Sequence, residues 1–116
     1  MVLVQISQVQ GRVPITVLQP QDQINLENYK ELEQVARDAF DKGMRNIVID
    51  LGQTPSLTSI GIRVLVIIHK MITPLDGSEH VKLARPSEPM LEMLKIAGIT
   101  QFIKVYDSVE GAVKSF

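Results

Sequence analysis

The chain has 116 residues, 45% of them hydrophobic, and a formal net charge of −1. That length fits one domain, spanning residues 1–116, and the apolar content allows a core without disulfides or metals. The near-zero charge gives no electrostatic footprint for nucleic acid or an anionic membrane, and the lack of cysteine excludes a disulfide framework, a cysteine nucleophile and thiolate metal sites, which suits a reducing cytoplasm.

The first ten residues, MVLVQISQVQ, carry no basic segment before the apolar positions and no cleavage pattern, so no signal peptide is expected. VLVQIS alternates and is β-branched, which predicts a strand. VPITVLQ predicts a second, with Pro14 at its start, where a missing N–H costs least. Gly11-Arg12 between them predicts a hairpin. In NYKELEQVARDAF, Tyr29, Leu32, Val35, Ala36, Ala39 and Phe40 share one helical face and charges fill the other. Asn28 with Glu31 three residues on resembles a capping box, and Gly43 sits where a helix C-terminal glycine is expected. NIVIDL is nearly all apolar, as a strand covered on both faces would be.

IRVLVIIH fits a buried strand or a helix on periodicity alone. Two points favour a helix: Ser59 and Gly61 precede it as a cap and a close-contact residue would, and a crossover is needed between the flanking strands. On a helix, Ile60, Val64, Ile67, Ile68 and Met71 form one stripe, expected to face the core, with Gly61 near its edge. The other face carries Arg63, His69 and Lys70 together with Ile62 and Val66, two β-branched residues beside charges that would suit a partner interface. The longest apolar run, Val64 to Ile68, is too short to span a bilayer. HVKLA predicts a strand. Ser87 then caps a helix with Pro89 in its first turn and Gly98 past its end. FIKVY predicts a last strand, and Asp107-x-x-Glu110 opens a final short helix. The expected order is β-β-α-β-α-β-α-β-α, an α/β fold with a mixed, mostly parallel sheet, helices mainly on one side and the first strand at an edge.

Asp50-Leu51, a loop through Pro55, and then Thr58-Ser59-Ile60-Gly61-Ile62 resemble the strand–loop–helix signature of the STAS domain family, the bacterial anti-sigma factor antagonists. Asp22-Gln23-Ile24-Asn25 stands where the family often has Gly-x-Leu-Asp after its second strand. LARPSEPMLEMLKIAGITQFIKVYDSVEGAV resembles its closing strand–helix–strand–helix unit, so the resemblance covers essentially the whole chain. Thr58 replaces an Asp common before the phosphoacceptor, and Asp22 and Asn25 replace the Gly and Asp of the earlier motif.

The resemblance implies a phosphorylation-switched binding module. The unphosphorylated protein would bind a kinase-type anti-sigma factor and release a sigma factor; phosphorylation would end the binding, and a serine phosphatase would restore it. Carried over, Ser59 is the phosphoacceptor, with Thr58 as the second candidate. Thr58, Ser59, Ile62, Arg63 and Val66, with Asn25, form the partner-binding surface. Physical chemistry agrees with that placement, because a helix N-terminus presents a hydroxyl and tolerates the phosphate afterwards. The phosphate adds about −1.5 to −2 charges, which an apolar interface must desolvate or expel.

The resemblance implies no cofactor. From the residues themselves, no metal-ligand spacing, nucleophile elbow or glycine-rich phosphate loop is present, so neither a metal nor a catalytic residue is expected. His69 reads as a solvated helix residue and His80 as a turn residue. Asp50 suggests a receiver-type phosphoacceptor, but the acidic pair such a site needs is missing, and Asp50 is expected to bond the loop that follows it. The alternative lies within the same family: an unphosphorylated scaffold in a signalling assembly, or an accessory subunit of a lipid-transport ATPase. These need the docking face but no acceptor hydroxyl.

Overall fold

The structure, a computed structural model, describes residues 3–72 and 80–116, so Val2 of the first expected strand lies outside it. Strands β1 (Val4–Gln10) and β2 (Pro14–Pro20) form the hairpin, antiparallel in a register that pairs Val4 with Pro20 and Gln10 with Pro14. Helix α1 (Tyr29–Asp41) leads to β3 (Ile47–Asp50), and α2 (Ser59–Ile72) leads to β4 (Val81–Ala84). Helix α3 (Glu88–Ile96), a 3-10 turn at Ile99–Gln101, β5 (Lys104–Tyr106) and α4 (Val109–Lys114) complete the chain. IRVLVIIH is therefore helical, and the crossover argument decided correctly where periodicity could not.

The sheet runs β1-β2-β3-β4-β5, with β1 at an edge and every pair after the hairpin parallel. Successive residues of a strand point to opposite faces. Ile47 and Ile49 accordingly enter the main core beneath α1, α2 and α3, while Val48 enters a smaller cluster with Ile15, Val17, Ala84, Ala112 and Val113 under α4. Helices on both faces explain why all of β3 is buried and why its sequence does not alternate.

The helix ends hold two surprises. Asn28 makes no side-chain cap at α1, so the expected capping box does not form. Its amide turns backward instead: Oδ1 accepts from the Asn25 N–H at 2.9 Å and Nδ2 donates to the Gln23 carbonyl at 2.8 Å. At α4 the cap is Ser108, whose hydroxyl accepts from the Gly111 N–H at 2.9 Å, not Asp107. Two further end signals hold. Gly43 adopts φ 105° after α1, and Ser87 accepts from the Met90 N–H at 3.3 Å to cap α3.

The phase of α2 differs from the expected one. Its buried residues are Gly61, Val64, Leu65, Ile68 and Ile72, a stripe with α-helical spacing. Val64 and Ile68 belong to it as expected. Ile60 and Ile67 are only half-buried, and Met71, also half-buried, packs against the main core cluster as expected. Ile62 and Val66, expected away from the core, are half-buried and pack against the main core cluster. The physical reason is that α2 is apolar almost all round, so several stripes score alike and only contacts with neighbouring elements fix the rotation.

Candidate functional site

The C-terminal end of β3, the loop from Leu51 and the start of α2 converge on the segment between β2 and α1. Three tethers hold them there. The Thr54 hydroxyl, buried, donates to the Pro20 carbonyl at 3.2 Å. Leu57 forms a parallel bridge with Ile24. The Ile24 carbonyl accepts from both the Thr58 N–H, at 3.3 Å, and the Thr58 hydroxyl, at 2.8 Å. These contacts bring Asn25 next to Thr58 and Ser59, although the residues lie far apart in sequence.

The segment carrying Asn25 is itself a hydrogen-bonded turn. Asn25 Oδ1 accepts from the Glu27 N–H at 2.9 Å and the Asn28 N–H at 3.2 Å, and the Asn25 carbonyl accepts from the Tyr29 N–H at 3.0 Å. The turn presents Leu26 to solvent at 72% exposure. Sequence reasoning missed Leu26, because a single leucine in a polar turn carries no periodic signal.

The two adjacent hydroxyls have different situations. Thr58 Oγ1 donates to Ile24 and accepts from the Gly61 N–H at 3.3 Å, so Thr58 is the N-cap of α2. Ser59, expected to precede the helix as its cap, is instead its first residue. It is exposed, and no hydrogen bond among the described residues engages its hydroxyl. Gly61 sits in a tight contact: a Cβ would lie 3.0 Å from Leu57 Cδ2, 3.1 Å from Ile24 Cβ and 3.2 Å from the Ile24 carbonyl oxygen, so a neighbour would have to give way. Its close approach is thus to the β2–α1 segment, in the middle of the buried stripe and not at its edge.

Below the loop, Asp50 is buried and saturated. Arg85 donates to it twice, from Nε at 2.8 Å and Nη2 at 2.7 Å; Gln19 Nε2 adds a bond at 2.8 Å and the Gly52 N–H one at 3.0 Å. Burial acts to raise the Asp50 pKa, but the hydrogen bonds from Arg85, Gly52 and Gln19 and the Arg85 charge together hold it below its ordinary value. Asp50 therefore bonds the loop that follows it, as the sequence suggested. Arg85 adopts φ 57°, a left-handed conformation costly for a residue with a side chain. Its guanidinium lies over Gly52, where any Cβ would collide with it.

On the flank of α2, Arg63 is exposed while Ile62 and Val66 are half-exposed. His69 is not simply solvated: its ring lies tilted against that of Phe102, with centroids 5.1 Å apart, and burial, with Lys70 nearby, lowers its pKa. A hollow of about 670 Å³ lies between the hairpin and the C-terminal half of α1, and no residue of the Ser59 loop lines it. Among the described residues, no group of three or more His, Cys, Asp or Glu side chains could hold a metal ion. The convergent face is a surface with the exposed hydroxyl of Ser59 on it, and among the described residues no enclosed pocket opens beside it.

Residues 6–112 match the sequence model of the STAS domain. BtrV of Bordetella bronchiseptica, whose name marks it a candidate anti-sigma factor antagonist, is 29% identical over 93 residues, which cover 80% of this chain and 78% of BtrV. The crystal structure of TM1081 from Thermotoga maritima, similarly described, superposes with a TM-score of 0.85 at 24% identity, covering 97% of this chain and 92% of that one. The phosphorylated form of SpoIIAA, a Bacillus cell fate determinant, superposes with a TM-score of 0.70 at 13% identity, covering 97% of both chains.

Proposed function

The chain belongs to the STAS domain family, and we propose that it is an anti-sigma factor antagonist switched by phosphorylation of Ser59. In this reading it is a binding module and not an enzyme. It works in the cytoplasm on a kinase-type anti-sigma factor, with a serine phosphatase to reset it. The observation that carries the reading is the difference between two neighbouring hydroxyls. Thr58 is locked between the Ile24 carbonyl and the Gly61 N–H, whereas Ser59, at the first position of α2, is exposed and its hydroxyl makes no hydrogen bond among the described residues.

The chemistry follows from that geometry. The kinase takes the Ser59 hydroxyl proton, Oγ forms a bond to the γ-phosphorus of ATP, and the β–γ bridging bond breaks to release ADP. The product places a dianion at the positive end of α2, where the helix tolerates it. The fold therefore survives the modification. The docking surface formed by Asn25, Thr58, Ser59, Ile62, Arg63 and Val66 does not stay the same. Its partner would have to desolvate a charge against half-exposed aliphatic side chains, which costs several kcal/mol.

Incubation with a kinase-type anti-sigma factor and ATP, followed by peptide mass spectrometry, tests the reading. Phosphate on Ser59, and none in Ser59→Ala, is the expected result. Phosphate on Thr58 moves the acceptor by one residue, and no phosphate with binding intact leaves an unphosphorylated scaffold.

A further inference from the structure

Arg63 stands four residues after Ser59 on α2, so the two side chains share one strip of the helix surface, with Cβ atoms about 5–6 Å apart. Both are exposed. Helix α2 contains no acidic residue, and among the described residues neither an ion pair nor a hydrogen bond engages the Arg63 guanidinium. At the start of the helix, Thr58 occupies the Gly61 N–H through its hydroxyl and the Ile62 N–H through its carbonyl. No hydrogen bond among the described residues takes up the N–H groups of Ser59 and Ile60. A group attached to Ser59 Oγ thus meets open donors on one side and an uncommitted guanidinium on the other.

We propose that Arg63 is a positioning residue that receives the phosphoryl group of phosphorylated Ser59 and folds it back along α2. This rests on the reading that Ser59 is phosphorylated. The orientation is the favourable one, with the anion toward the helix N-terminus and the cation one turn later. A guanidinium suits the task because its planar fork matches phosphate oxygens bidentately. The consequence for the switch is twofold: phosphorylation places an anion at the centre of the docking face and also withdraws the one cation, Arg63, from the six residues assigned to it.

The test uses the full chain with phosphoserine installed at position 59 during translation, so its outcome does not depend on any kinase. Phosphorus NMR follows the second ionisation of the phosphate, ordinarily near pH 6. The other charged or titratable residues of the two segments, Asp22 and Glu27 before α1 and His69 and Lys70 on α2, are the same in every variant. Arg63 favours the dianion, so the midpoint in the unaltered protein at low salt should lie about 0.2 to 0.4 pH unit below that of Arg63→Gln. Arg63→Lys should retain part of the shift as a point charge, and high salt should shrink it. Identical midpoints for the unaltered protein and Arg63→Gln at low salt would overturn the proposal. Failure of the kinase assay above, with the midpoint difference present, would instead remove the phosphorylation reading and leave the ion pair standing.

Discussion

Thr58 and Ser59 carry the same functional group one residue apart, and the fold gives them different work. Thr58→Ala removes the cap of α2 and the bond to the Ile24 carbonyl. It should cost about 1–2 kcal/mol, read as a shift in the urea midpoint. Ser59→Ala removes an exposed, unbonded hydroxyl and should stay within about 0.5 kcal/mol. Ser59→Asp should also fold normally, because an acidic residue in the first turn is favoured by the helix dipole. It should weaken binding to the anti-sigma factor about tenfold or more in a titration calorimeter, through the charge it brings to the contact surface. The strand–loop–helix signature singled out this pair in the sequence. The division of labour was not legible there. A cap is defined by where the chain leaves helical geometry, and that boundary depends on Ile24, 34 residues from Thr58.

At the scale of one element, α2 shows where periodicity runs out. Most of its positions are apolar, so the expected stripe through Ile60 and Ile67 was as self-consistent as the observed one through Leu65 and Ile72. The observed rotation makes a sharp comparison. Leu65→Ala, fully buried, should cost about 2–5 kcal/mol. Ile67→Ala, half-buried and outside the main core cluster, should cost clearly less, and Arg63→Ala should change stability by no more than about 0.5 kcal/mol. Denaturant titration of the three variants orders them. Gly61 gives a second test of the same packing. Gly61→Ala must push α2 away from Ile24 and Leu57, at a cost of about 1–3 kcal/mol, and should disturb the docking face as well. Ile62→Asp and Val66→Asp do not probe the proposed interface alone. Both side chains pack against the core, so each substitution should lower the thermal midpoint as well as binding.

Across the whole molecule, the order of elements and the mostly parallel sheet were legible because most turns and apolar runs pointed the same way, and the need for a crossover decided the helix that periodicity left open. What the sequence could not display was the tie between distant parts, and Asp50 is the main one. Its carboxylate joins Gln19 of β2, Gly52 of the loop and Arg85 at the end of β4, so one charge holds three neighbouring strands and the base of the Ser59 loop in register. The sequence suggested only the local bond to the loop, since Arg85 is 35 residues away and reaches back through a left-handed backbone that no pattern announces. The tie makes stability depend on pH with a definite sign. Asp50 is held below its ordinary pKa in the fold, so its contribution is fully present above the ordinary carboxylate range. It is lost as the pH falls through the lower folded value, where the protonated group no longer pairs with Arg85. Asp50→Asn lacks this contribution at every pH. The difference in unfolding free energy between the native protein and Asp50→Asn should therefore be constant from neutral pH down to about pH 5 and shrink below about pH 4. Urea unfolding of both proteins at a series of pH values measures it. A difference that stays constant down to the acid limit would show that Asp50 is not the ionised hub of the sheet.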